Sequence, residues 1–141
     1  MNHATTIVPV WVRVVTGLVA LLNLAYGLSG YFAPAGILPG LNADTTATLN
    51  AAHVFSARNV AIGIALLLVA TRGIPESIAI VMIIRLLVEV QDLVLLILGG
   101  NDISNLLMPF AFIVLELMVI VTMFKIVGER DKNVHTIPSQ T

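Results

Sequence analysis

Four stretches of this chain are nearly unbroken runs of Leu, Ile, Val, Ala and Phe, separated by short polar or Gly/Pro-rich breaks. They run from about Val8 to Leu28, Thr46 to Thr71, Pro75 to Leu98 and Asn105 to Val127. Each is close to the ~20 residues that a helix needs to cross the hydrocarbon core of a bilayer. Proline at the start of the third run costs nothing, because the first N–H of a helix has no intrahelical partner. Pro109, in the first turns of the fourth, is expected to bend that helix slightly. The break "GYFAPAGILPGLNAD", residues 30–44, holds three glycines and two prolines and reads as the one long loop. "RGIPE" and "GGNDIS" read as tight turns, and "GERDKNVHTIPSQT" as a fraying polar tail. The pattern predicts an all-α four-transmembrane-helix bundle over residues 1–128, followed by a polar cytoplasmic tail, 129–141.

Composition sharpens the class. The 141 residues are 58% hydrophobic and only 11% charged, against about 25% charged in a soluble domain. Too little polar surface remains to cover a globule in water, so the expected class is a multi-pass integral membrane protein, in a bacterial inner membrane. A net charge of −1 and the lack of a basic tract give no footprint for a nucleic-acid partner. There is no cysteine, which removes disulfides, thiolate catalysis and cysteine-ligated metals. The first apolar run lacks a basic stretch before it and a clean cleavage site after it, so it reads as a retained helix.

The basic residues orient the helices. Arg13, Arg72, Lys125, Arg130 and Lys132 all fall at one end of the four runs, and none falls at the other. The positive-inside rule then places both termini in the cytoplasm. Trp11, Tyr31 and Phe32 suit the two membrane interfaces. Small residues recur at helical spacing, as Ala57, Ala61 and Ala65, as Ala52, Ser56 and Gly63, and as Gly17 and Ala20. Such residues let helix backbones approach closely.

Five ionisable residues interrupt the oily runs: Arg58, Arg85, Glu89, Asp92 and Glu116. Each costs roughly 2.5–3.5 kcal/mol at the bilayer centre on insertion scales, so all five are expected to face one another or water. Arg85, Glu89 and Asp92 stand at i, i+4 and i+7, one stripe of a helix, which apolar Met82 and Ile78 continue. Gln91 is expected to point away from it. "AAHVFSARNVAIG" gathers His53, Ser56, Arg58 and Asn59, while Asn23 and Tyr26 share a side of the first helix with Gly27 and Gly30. A rise of 1.5 Å per residue brings these groups to similar depths, which predicts a polar cavity between the midplane and the outer surface.

Two readings of this cluster stand side by side. Buried ion pairs can specify packing without doing chemistry. Alternatively, carboxylates beside arginines in a poorly solvated site hold different protonation states, one acid giving a proton while another stays ionised. That suits isomerisation, cyclisation or epoxide opening of an apolar or amphipathic molecule dissolved in the membrane. Glu89, Asp92 and Glu116 are then the candidate acids and bases, and Asn23, Tyr26, His53, Arg58, Asn59 and Arg85 the candidate binding residues. A proton-coupled carrier, functioning as a homodimer, and an assembly subunit of a membrane complex are the alternatives. No cofactor is expected. His3, His53 and His135 match no zinc spacing, no Glu-x-x-His pair serves a bundle di-metal site, and there is no phosphate loop or nucleophile elbow.

"ARNVAIGIALLL" followed by "IIRLLVEVQDLVLLILGG" resembles the small bacterial four-helix membrane proteins of the DoxX-like and domain-of-unknown-function kind. In many of these an Arg-Asn or Arg-Asp pair precedes a helix of small residues and an acid lies in the next span. The resemblance covers the second and third runs, would correspond to Arg58, Asn59 and Asp92, and implies a fold rather than an activity.

The charge asymmetry predicts that a reporter fused after Thr141 is active as a cytoplasmic fusion. A fusion active only on the far side of the membrane would reverse the assigned orientation.

Overall fold

The computed structural model describes residues 8–34, 45–100 and 102–135. Within them the chain is all helical: α1 (Val10–Phe32), α2 (Thr46–Arg72), α3 (Pro75–Leu98) and α4 (Ile103–His135). Three of the four are long and apolar enough to cross a membrane: α1, α2 and the Asn105–Arg130 part of α4. They mark the chain as a membrane protein. At 24 residues α3 is as long as the others require, but Arg85, Glu89 and Asp92 fall within any 18-residue window of it.

Helix ends follow local chemistry. Thr45 begins α2 by accepting the Thr48 N–H on its hydroxyl oxygen at 3.2 Å, a side-chain N-cap. The turn into α3 needs Gly73, whose φ of 64° disfavours any side chain. Ile74 is then extended, and Pro75 opens the helix. At its far end the Gly99 N–H returns to the Leu95 carbonyl at 2.9 Å, and Gly100 turns away at φ 70°. The first helix runs on through Gly30–Phe32, three residues assigned from sequence to the long loop. A single glycine among aromatics does not stop a helix whose neighbours favour it. The rest of that loop, residues 35–44, lies outside the described residues, as do His3 and residues 136–141. Likewise α4 continues past Val127 to His135. Pro109 sits inside it without ending it.

The chain forms two compact units, residues 13–72 and residues 1–12 with 73–141. The first is the α1–α2 hairpin, and it closes at the backbone. A Cβ built on Gly27 would lie 2.8 Å from the Val60 nitrogen and 2.9 Å from the Ser56 oxygen. One on Gly63 would lie 2.7 Å from Leu24 Cγ and 3.0 Å from the Ala20 oxygen. The two contacts are reciprocal and share one antiparallel register. The buried face of α2 is Ala52, Ser56, Asn59, Gly63, Leu66 and Ala70, alternating steps of four and three as in a coiled-coil seam. Of the small-residue sets named from sequence, Ala52–Ser56–Gly63 is therefore the packing face. Ala57 and Ala61 are exposed, and a Cβ on Gly17 would meet nothing within 4 Å. Arg13 ties the hairpin's open end: Nε donates to the Ala70 carbonyl at 3.0 Å and Nη2 to that of Thr71 at 3.1 Å. These are terminal carbonyls of α2, where a cation is favoured by the helix dipole.

The second unit contains the α3–α4 hairpin. Pro75, Ile78, Met82, Arg85 and Glu89 form the buried face of α3. Glu116, Val119, Ile120 and Met123 are buried on α4. The Arg130 guanidinium donates to Glu76 at 2.9 Å and joins the ends of the two helices. Outward faces are oily: Ile80, Ile84 and Leu87 on α3, and Leu117, Val121 and Phe124 on α4, are exposed.

Gly27→Ala should destabilise the protein by roughly 1–3 kcal/mol, because the methyl would run into backbone atoms of Val60 and Ser56 that cannot rotate away. Gly17→Ala should be neutral or stabilising by up to about 1 kcal/mol, from helix propensity alone. Denaturant unfolding in detergent micelles compares the two; similar effects would contradict the close α1–α2 approach.

Candidate functional site

The charged stripe of α3 is built by its seam. Residues 78, 82, 85 and 89 fall on one buried line, so the helix that packs Ile78 and Met82 inward must also carry Arg85 and Glu89 inward. The Arg85 Nη1 donates to Glu89 Oε2 one turn on, in a close ion pair. The same Nη1 lies 3.5 Å from Glu116 Oε1 across the hairpin. Glu116 has no exposed surface, and Arg85 and Glu89 have less than a tenth. One guanidinium thus faces two carboxylates. Neither Glu116 oxygen receives a hydrogen bond, and Arg85 Nε donates none. Unsatisfied buried charge is expensive, so Glu116 is the least compensated group of the cluster.

The stripe opens outward along α3. Asp92 is half-buried, one turn beyond Glu89, and Gln91 is exposed beside it. Three of the four ionisable residues predicted for the third and fourth runs therefore meet directly, and Asp92 borders them.

The remaining candidates belong to the α1–α2 hairpin. Asn23 and Asn59 are buried, and each amide donates within its own helix, to the Val19 carbonyl at 2.8 Å and the Phe55 carbonyl at 2.9 Å. Beyond that bond each amide has a second N–H to donate and an oxygen to accept. Tyr26 does not share the burial of Asn23, Gly27 and Gly30. It is nearly half exposed and meets Phe55 edge-on, at 5.8 Å between centroids. The half-buried Arg58 guanidinium lies 4.7 Å from the Phe55 ring centre, a cation–π distance. His53 is exposed and stacks on Tyr31 at 5.6 Å. Phe55, absent from the residues singled out by sequence, is therefore one contact of Arg58. Its spacing three residues before Arg58 on one helix was the available signal. Thr16 and Ser56 also bury hydroxyls with no hydrogen-bond partner.

Two open grooves mark the α3–α4 unit. One of about 400 Å³ is lined by Trp11, Val114, Leu117, Met118, Val121 and Thr122. The other, of about 260 Å³, is walled by apolar residues of α3 and α4, including Leu93, Ile97 and Phe110. Both are apolar, and the polar cavity expected from the sequence is neither of them. Among the described residues no group of three or more His, Cys, Asp or Glu is placed to hold a metal ion. No protein family, curated protein or solved structure matches the chain.

Arg85→Leu should cost roughly 3–5 kcal/mol of stability, since it strands two buried carboxylates. Arg72→Leu, at an exposed helix end, should cost under about 1 kcal/mol. Thermal unfolding in detergent separates them, and equal melting temperatures would remove Arg85 from any buried network.

Proposed function

We propose that this chain is a four-span protein of a bacterial inner membrane, with both termini cytoplasmic. Its Arg85–Glu89–Glu116 cluster forms the acid–base centre of a site for an apolar or amphipathic small molecule. The observation that carries this reading is Glu116: wholly buried, without a hydrogen-bond donor, beside a guanidinium already engaged by Glu89. Ionisable groups inside membranes are functional by default. With one guanidinium between two carboxylates, full ionisation leaves one negative charge, which a proton or a bound cationic group must neutralise. Arg85 is already paired with Glu89 on its own helix, so Glu116 is the carboxyl left to take that proton or cation. Asp92 extends the stripe along α3. The span assigned to α3 rests on its length and on its outward face of Ile80, Ile84 and Leu87. The four-span reading agrees with the DoxX-like resemblance.

A second reading is supported by a specific feature. Arg85 and Glu89 satisfy each other one turn apart on a single helix, as a structural pair would, and the defined grooves are apolar. In that reading the cluster fixes the α3–α4 register for an assembly subunit. A proton-coupled homo-oligomeric carrier would use the same Glu116.

Glu116→Gln separates these readings, because the amide keeps shape and removes the proton exchange. An acid–base site predicts a folded variant with wild-type helix content that no longer retains or converts the lipophilic molecule extracted with wild type. Retention unchanged in the variant, together with a loss of thermal stability, would leave only the structural role. Proton flux into vesicles, abolished by the same substitution, identifies the carrier.

A further inference from the structure

The groove between Trp11 and α4 is apolar along its length, and a lysine follows it on the same helix face. Its α4 wall is Val114, Leu117, Met118, Val121 and Thr122, all on neighbouring turns of one face. Thr122 does not make that wall polar, because its hydroxyl donates back to the Met118 carbonyl at 2.8 Å. The same face continues one turn further to Lys125, seven residues past Met118 and four past Val121. Lys125 is exposed, and among the described residues none forms an ion pair with it. From Val114 to Lys125 the helix rises about 16 Å at 1.5 Å per residue. That matches one leaflet, half of a hydrocarbon core of ~30 Å. Lys125 lies at the basic end of the helices, and Trp11, 43% exposed, forms the wall of the groove opposite α4.

The geometry points to a site for an anionic phospholipid of the leaflet at the basic end: one acyl chain lies in the Trp11–α4 groove and the phosphate sits on the Lys125 ammonium. The apolar floor accepts any acyl chain, so selectivity comes from the headgroup. Lys125 attracts net negative charge and gains nothing from a headgroup whose own ammonium already neutralises its phosphate. Arg130 is engaged by Glu76 and does not duplicate this role. The inference rests on α4 crossing the membrane and is independent of the acid–base reading of Glu116.

Trp11 is the chain's one tryptophan, so its fluorescence reports occupancy of the groove directly. The protein is reconstituted in phosphatidylcholine vesicles, and brominated phosphatidylglycerol or brominated phosphatidylcholine is titrated in. The anionic lipid should quench Trp11 at several-fold lower mole fraction than the zwitterionic one. Lys125→Gln should bring the two curves together, whereas Lys132→Gln should leave the difference intact. Equal quenching by both lipids in the wild type, or a preference that survives Lys125→Gln, overturns the site. Quenching by neither lipid overturns both the site and the membrane placement of the groove.

Discussion

Lipid offers no hydrogen bonds, and that constraint orders everything else in this chain. A polar group must find its partner inside the protein or reach water. The result is an inverted arrangement: Thr16, Asn23, Ser56, Asn59, Arg85, Glu89 and Glu116 are buried, while leucines, isoleucines and valines cover the outside. Backbone amides are satisfied by the helices themselves. Asn23 and Asn59 return their amide N–H groups to carbonyls of their own helices. Arg85 and Glu89 solve the harder problem of charge by neutralising each other one turn apart. Glu116 is the group for which this solution is incomplete.

The two hairpins close by different physics. The α1–α2 hairpin uses backbone proximity: Gly27 and Gly63 each remove a side chain so that the partner helix can approach. Hydrophobic contraction contributes little where the surroundings are as apolar as the side chains, so dispersion at close range takes its place. The α3–α4 hairpin instead joins helices through side chains, with charge at Arg85–Glu116 and Glu76–Arg130 and packing among Ile78, Met82, Val119 and Met123. A hairpin closed by glycines tolerates no change of register. One joined by long polar side chains can adjust without losing its contacts.

Much of this was legible in the sequence because membrane composition is a strong constraint. Helix number, the turns at Gly73 and Gly99–Gly100, and the inward stripe of Arg85 and Glu89 follow from apolar run length and 3.6-residue spacing. Less legible was the choice among repeating small residues. Ala57–Ala61–Ala65 and Ala52–Ser56–Gly63 have the same periodicity, and only the facing glycine of α1 decides between them. Tyr26 illustrates a similar limit: sharing a stripe with Asn23 and Gly27 does not bury a ring that Phe55 meets at the edge of the hairpin. Helix α1 runs past Gly30 to Phe32, although Gly30 shares its stretch of sequence with the prolines that follow. Loop character begins only where several such residues accumulate.

Pro109 carries one last consequence. Having no N–H, it releases the Asn105 carbonyl, four residues back, from the helix ladder. A carbonyl without a donor is tolerated in water and not in hydrocarbon, so the turn containing Asn105 acts as a depth mark: it belongs at the aqueous boundary. Lys125, twenty residues further on, is the matching mark at the opposite boundary, about 30 Å away. Glu116 lies about halfway between them. A proton exchanging at Glu116 from either side would have to cross roughly 15 Å, half the thickness of the insulator, so conduction to that point requires a chain of polar groups or water along the helices.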